Sequence, residues 1–123
     1  MLSLPPAVRI FVCTRTTDMR YGFDRLAMLA GSVLGQDPLS GLLFVFFNKR
    51  ADRCKILFWD RSGFCLWYKR LEQGVFRLPP HQAKTDCLEL SIAELSLILE
   101  GIDLTTVKRR KRYTYVTDQV TSR

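Results

Sequence analysis

Apolar positions recur along this chain in two rhythms, and each predicts a different kind of element. Val8-Arg9-Ile10-Phe11-Val12-Cys13 is rich in β-branched and aromatic residues and predicts a first strand. Thr16-Thr17-Asp18 then offers N-cap oxygens. Beyond it Phe23, Leu26, Ala27, Ala30, Val33 and Leu34 recur at helical spacing, as one stripe of an amphipathic helix. Gly35 can take the left-handed conformation that ends this helix, and Asp37-Pro38-Leu39-Ser40-Gly41 is a turn-rich connection.

The middle of the chain reads as β. Leu42–Phe47, Lys55–Trp59 and Phe64–Lys69 are apolar runs joined by polar links short enough for hairpins. Arg61-Ser62-Gly63 places Gly where a three-residue hairpin loop wants a left-handed residue. With Asp60 facing Phe64, that loop sets Leu57 opposite Trp67 and Lys55 opposite Lys69. Alternation then puts Ile56, Phe58, Phe64, Leu66 and Tyr68 on one face, and Leu57, Trp59, Cys65 and Trp67 on the other. Both faces are apolar, so something must cover each of them.

Val75-Phe76-Arg77-Leu78 predicts a short strand stopped by Pro79-Pro80. Ser91-Ile92-Ala93-Glu94 fits a capping box, with Ile92, Leu95 and Leu99 behind it and Gly101 as terminator, which predicts a second helix. The expected arrangement is one helix on each face of the sheet. In the alternative both helices share one face, and the Trp59/Trp67 face is left for a partner or a polynucleotide.

Composition narrows the class. A chain of 123 residues, 47% hydrophobic and 25% charged, suits one globular domain. Its longest apolar run, Leu42–Phe47, falls well short of the ~18 residues that a membrane helix needs, and the first residues carry no secretory pattern. The expectation is a soluble intracellular protein with no membrane partner.

The net charge of +7 is unevenly distributed. Residues 49–77 carry +5 and residues 108–123 carry +5, whereas residues 78–107 carry −4. Two basic segments separated by an acidic one are what a polyanion-binding face produces. Residues 1–107 read as a single α+β domain: a mainly antiparallel sheet of four to five strands with two helices. Residues 108–123 read as a basic C-terminal arm.

Candidate chemistry is sparse. Cys13, Cys54, Cys65 and Cys87 contain no C-x-x-C pair and accompany a lone His81, so they read as small buried hydrophobes in a reducing compartment, with no metal or cofactor implied. No phosphate loop, G-x-S-x-G or H-E-x-x-H is present. Asp18, Asp24, Asp37 and Asp60 fit helix and turn positions better than a two-metal site. The expectation is a protein without catalytic residues.

Three basic features point instead to nucleic acid. Lys108-Arg109-Arg110-Lys111-Arg112 is the strongest: if all five cations met phosphates, log K would fall against log salt with a slope of about −4.5. Lys49, Arg50 and Arg53 lie on a hairpin tip, where they can reach a backbone without burying anything. Lys69 and Arg70 follow Trp67-Tyr68, with Lys55 and Trp59 nearby on the same hairpin; cations interleaved with aromatics can stack bases and hold phosphates.

A set of segments then carries a resemblance. Thr17-Asp18-Met19-Arg20, Gly22-Phe23-Asp24, Asp37-Pro38-Leu39-Ser40-Gly41, Leu43-Phe44-Val45-Phe46, Lys55-Ile56-Leu57, Trp59-Asp60, Gly63-Phe64, Leu66-Trp67-Tyr68-Lys69-Arg70-Leu71-Glu72 and Gly101-Ile102-Asp103 together resemble the TnpB accessory protein of bacterial insertion sequences of the IS sixty-six type. The similarity runs from about residue 2 to residue 104 and leaves out the basic tail. Phe47 and Tyr21 depart from the pattern, standing where basic residues are expected.

The resemblance implies a role in transposition beside a DDE-type transposase and a second small accessory protein of the same element, and it supplies no catalytic residues. The resulting expectation is a non-catalytic DNA-binding accessory protein. The alternative is a protein–protein adaptor that docks on the transposase through an exposed Trp59/Trp67 face and an acidic 86–103 helix.

Overall fold

Leu43–Phe47 is buried at every position because it runs through the middle of a sheet with a helix on either side. The computed structural model describes residues 8–80 and 84–103 and the pair 108–109. In chain order the elements are β1 (Ile10–Thr16), α1 (Phe23–Ser32), β2 (Leu43–Phe47), β3 (Arg53–Asp60), β4 (Gly63–Arg70), β5 (Cys87–Leu90), α2 (Ile92–Leu99), β6 (Ile102–Asp103) and β7 (Lys108–Arg109).

Five strands make one mixed sheet in the order β4-β3-β2-β1-β5. β1 and β2 pair in parallel across the connection that holds α1, and the other neighbours in this sheet are antiparallel. The fold is α+β with a mostly antiparallel sheet. β6 and β7 form a separate antiparallel pair, so the first two residues of the basic block, Lys108 and Arg109, face Asp103 and Ile102. Arg110, Lys111 and Arg112 lie outside the described residues.

Alternation along β1 and β2 splits the core in two. Ile10, Val12, Leu43, Val45 and Ile56 face α2, which contributes Leu95, Ile98 and Leu99. Phe11, Cys13, Phe44, Phe46 and Leu57 face α1, which contributes Leu26 and Ala30, with Leu34 just beyond it. Each helix therefore covers one face, the first of the two arrangements expected. A fully buried Leu, Ile or Phe contributes about 1.5–3 kcal/mol, so neither face is stable uncovered.

Local signals act as their chemistry dictates. The capping box forms: the Ser91 Oγ accepts from Glu94 N at 3.1 Å, and Ser91 N donates to Glu94 Oε1 at 2.9 Å. Gly35 and Gly101 end their helices with φ of +68° and +84°.

Four expectations are corrected. α1 is not capped at Thr16-Thr17-Asp18: β1 runs on to Thr16, the helix starts after Gly22 with no side-chain cap, and Asp18 binds Arg20 instead. Val75–Leu78 is a loop without strand pairing, and the strand lies later, at Cys87–Leu90. The acidic segment is consequently a strand followed by a helix of 8 residues.

The β3–β4 register is also one residue away from that expected. Asp60 pairs with Gly63, so the loop has only Arg61 and Ser62, with Arg61 at φ +52°. A positive φ at the first loop position is the sign pattern of a II′ turn, usually given to Gly. One residue of shift turns every β4 side chain to the other face. Lys55 now faces Tyr68, Lys69 faces Cys54 and Trp67 faces Ile56. Trp59 and Trp67 fall on opposite faces: Trp59 packs edge-on against Phe64 at 5.1 Å, while Trp67 lies against the α2-side core. A single docking face shared by the two tryptophans does not exist.

Candidate nucleic-acid interface

The β2–β3 link, Asn48 to Asp52, is organised by one side chain. Asn48 Oδ1 accepts from the backbone N–H groups of Asp52 and Arg53 at 3.0 and 2.9 Å, and its Nδ2 donates to Asp52 Oδ1 at 2.7 Å. Ala51 N donates to Asn48 O at 3.0 Å, and Ala51 takes φ +56° to complete the turn. The bond from Asn48 Nδ2 holds the Asp52 carboxyl below its ordinary range, with smaller help from Arg50 and Arg53. The 71–76 segment then clamps the base of the tip: Leu71 N donates to Asp52 O at 2.8 Å and Phe76 N to Ala51 O at 2.7 Å.

This scaffold presents Lys49 and Arg50 as exposed side chains, neither in an ion pair among the described residues. Arg53 follows at the start of β3, directly opposite Arg70 of β4. Like charges in that position repel, at a cost of a few tenths to ~1 kcal/mol. Arg53 Nη1 reaches the Tyr68 hydroxyl at 3.2 Å and Arg70 reaches Glu72 at 3.1 Å, which relieves the pair only in part. A shallow cavity of about 310 Å³ opens among Arg53, Tyr68, Arg70 and Glu72, and the Tyr68 ring beside it is half exposed. The arrangement sets two guanidinium groups, each holding one local partner, next to a half-exposed aromatic ring.

Two lysines expected here are committed elsewhere. Lys55 is 7% exposed; its Nζ donates to Met19 O and Tyr21 O, both at 2.8 Å, and sits 4.8 Å from the Tyr68 ring centre. It ties the 17–22 loop to the sheet. Lys69, on the α2 side, donates to Leu99 O at 2.9 Å, at the carbonyl end of α2 where a cation is stabilised. The cationic surface is therefore Lys49, Arg50, Arg53 and Arg70.

The model of the family described as "IS66 Orf2 like protein" matches residues 8–109. The chain belongs to that family. Among relatives, the uncharacterized protein y4jC of Sinorhizobium fredii (strain NBRC 101917 / NGR234) is 43% identical over 110 residues, which cover 89% of this chain and 92% of that protein. The uncharacterized protein y4hO of the same strain is 41% identical over 103 residues, covering 84% and 88%. No solved structure matches the chain. The matched span reaches Arg109, so the family region of this IS66 Orf2-like protein takes in two residues of the basic block that the resemblance had left outside it.

In this IS66 Orf2-like protein the segments that carried the resemblance have structural work to do. Asp18 accepts from Arg20 N at 2.8 Å and pairs with its guanidinium at 2.7 Å, which pulls the Asp18 carboxyl down to about 2. Asp37 Oδ1 accepts from Leu39 N at 2.9 Å to form the turn before β2, and Gly41 completes it at φ +87°. No group of three or more His, Cys, Asp or Glu side chains among the described residues is placed to hold a metal ion. No helix among them is long and apolar enough to cross a membrane. The four cysteines are free, and burial pushes the Cys13, Cys54 and Cys87 thiols up. Sequence reasoning missed Arg15 and Arg77, which flank the tip; each is an isolated cation in an otherwise apolar or hydroxyl stretch and carries no motif.

Proposed function

We propose that this IS66 Orf2-like protein is a non-catalytic accessory protein of insertion-sequence transposition that binds DNA through Lys49, Arg50, Arg53 and Arg70, with Lys108, Arg109, Arg110, Lys111 and Arg112 adding phosphate contacts. It works beside a DDE-type transposase and a second small accessory protein of the element. The observation that carries this reading is the direct opposition of Arg53 and Arg70 beside the exposed, unpaired Lys49 and Arg50. The Tyr68 and Glu72 contacts relieve that repulsion only in part, and an anionic backbone would remove the rest.

The second reading, an adaptor that docks on the transposase without touching DNA, has one observation of its own. Phe23 and Met28 of α1 are 47% and 57% exposed. A gel-shift with element-end DNA, run with the protein alone and with purified transposase, separates the two. DNA binding predicts a shifted band with the protein alone; an adaptor shifts only the transposase complex.

A further inference from the structure

On the far side of the tip from Arg53 lies a cavity of about 440 Å³, between β1's end, Lys49 and the 76–78 segment. We propose that it takes one unpaired nucleotide of the bound DNA, its base against Phe47, Phe76 and Leu78 and its phosphate between Lys49 and Arg77. The proposal rests on the DNA-binding reading and deepens it.

The floor is apolar and rigid. Phe47 and Phe76 are 7% and 4% exposed, with ring centres 5.4 Å apart and planes tilted by 50°, so their positions are fixed by packing before anything binds. Phe76 is further pinned by its backbone bond to Ala51. The rim is cationic: Lys49, Arg77 and Arg15 line it, and no carboxylate does so among the described residues. Arg15 is paired with Asp86 at 3.0 Å, which leaves Lys49 and Arg77 to meet an anion. An apolar floor under a positive rim complements a ring that carries a phosphate. It disfavours a basic peptide or a neutral apolar ligand.

Size sets the class further. The volume lies toward the small end of the roughly 300–1,000 Å³ that ligand pockets span. It admits one nucleotide and excludes a base pair with its two backbones. Entry therefore requires a base already unpaired or drawn out of the stack, which costs least at a strand end or mismatch. Lys49 belongs to both the tip and the rim, so a phosphate on the tip lies next to the cavity's mouth.

The test uses the full chain in fluorescence anisotropy with two labelled DNAs: a blunt duplex, and the same duplex ending in a short unpaired overhang. The wild type is expected to bind the overhang form about tenfold more tightly, through one base seated against the cavity's apolar floor. Thr16→Trp fills the cavity from an exposed strand position and should bring the ratio to about one; Leu78→Ala, which removes one wall, should reduce it about threefold. Equal wild-type affinity for the two duplexes overturns the cavity assignment while leaving DNA binding intact, and assigns the cavity to a peptide segment or small anion. A preference that survives Thr16→Trp overturns it as well. Absence of binding to either duplex overturns both this proposal and the reading beneath it.

Discussion

The Asn48 side chain spans the tip to Asp52, donating to its carboxylate at 2.7 Å while accepting from the backbone N–H of the same residue at 3.0 Å. Lys49 and Arg50 are thus held between two ends of a closed polar ring, and little of their backbone freedom remains to be lost on binding. Asn48→Ala removes no charge, yet it deletes three hydrogen bonds. It is expected to lower stability by about 1–2 kcal/mol in urea melts and to weaken DNA binding several-fold. Wild-type affinity in this variant would show that tip order plays no part in recognition.

Lys55 gives the converse case, a cation whose hydrogen bonds serve the fold. Lys55→Met leaves Met19 O and Tyr21 O without the ammonium that they share. The expected cost is about 2–3 kcal/mol in stability, since hydrogen bonds to a charged group are among the stronger ones. The salt dependence of DNA binding should stay at the wild-type slope; a smaller slope would return Lys55 to the interface.

The placement of one helix on each face predicts a contrast within α2. Ile98 is fully buried whereas Leu97 is 38% exposed. Ile98→Ala should cost about 2–4 kcal/mol in denaturant melts through lost transfer energy and the cavity left behind, and Leu97→Ala less than about 1. Similar losses at the two positions would contradict the described orientation of the helix.

What could be read from the sequence was local. The Ser91–Glu94 capping box, the terminators Gly35 and Gly101 and the unbroken apolar run of β2 each depend on chemistry within a few residues, and each appears as expected. The β3–β4 register was not legible, because Arg61 takes the left-handed position that Gly63 seemed made for. That one-residue difference separates Trp59 from Trp67 and exchanges the apparent Lys55–Lys69 opposition for a real one between Arg53 and Arg70. Lys55 looked like a surface cation because the carbonyls that bury it come from 34 and 36 positions away. β5 was too short, at 4 residues, to stand out from the helix that follows.

Acid should loosen the 17–22 loop within a defined window. Arg20 lowers the Asp18 carboxyl from 3.8 to about 2 in the folded chain, first through their side-chain hydrogen bonds. A depressed folded-state value means that the stabilisation is complete above the unfolded value and is lost as the pH falls through the folded one. The loss should run from about pH 4 down to about pH 2, and it should be small, since the pair is open to solvent. Asp18→Asn is expected to remove that part of the acid limb in stability measured against pH, leaving neutral-pH stability slightly lower. An acid limb identical to the wild type would exclude the pair as its source.

Salt dependence of DNA binding by the full chain is the deciding measurement. Each cation–phosphate contact contributes about 0.9 to the slope of log K against log salt. If Lys49 and Arg50 both meet phosphates, Lys49→Gln/Arg50→Gln should bind more weakly and show a slope smaller by about 1.8. A variant with unchanged affinity and slope, or a wild type that binds no DNA at low salt, would contradict the assignment of this surface to nucleic acid.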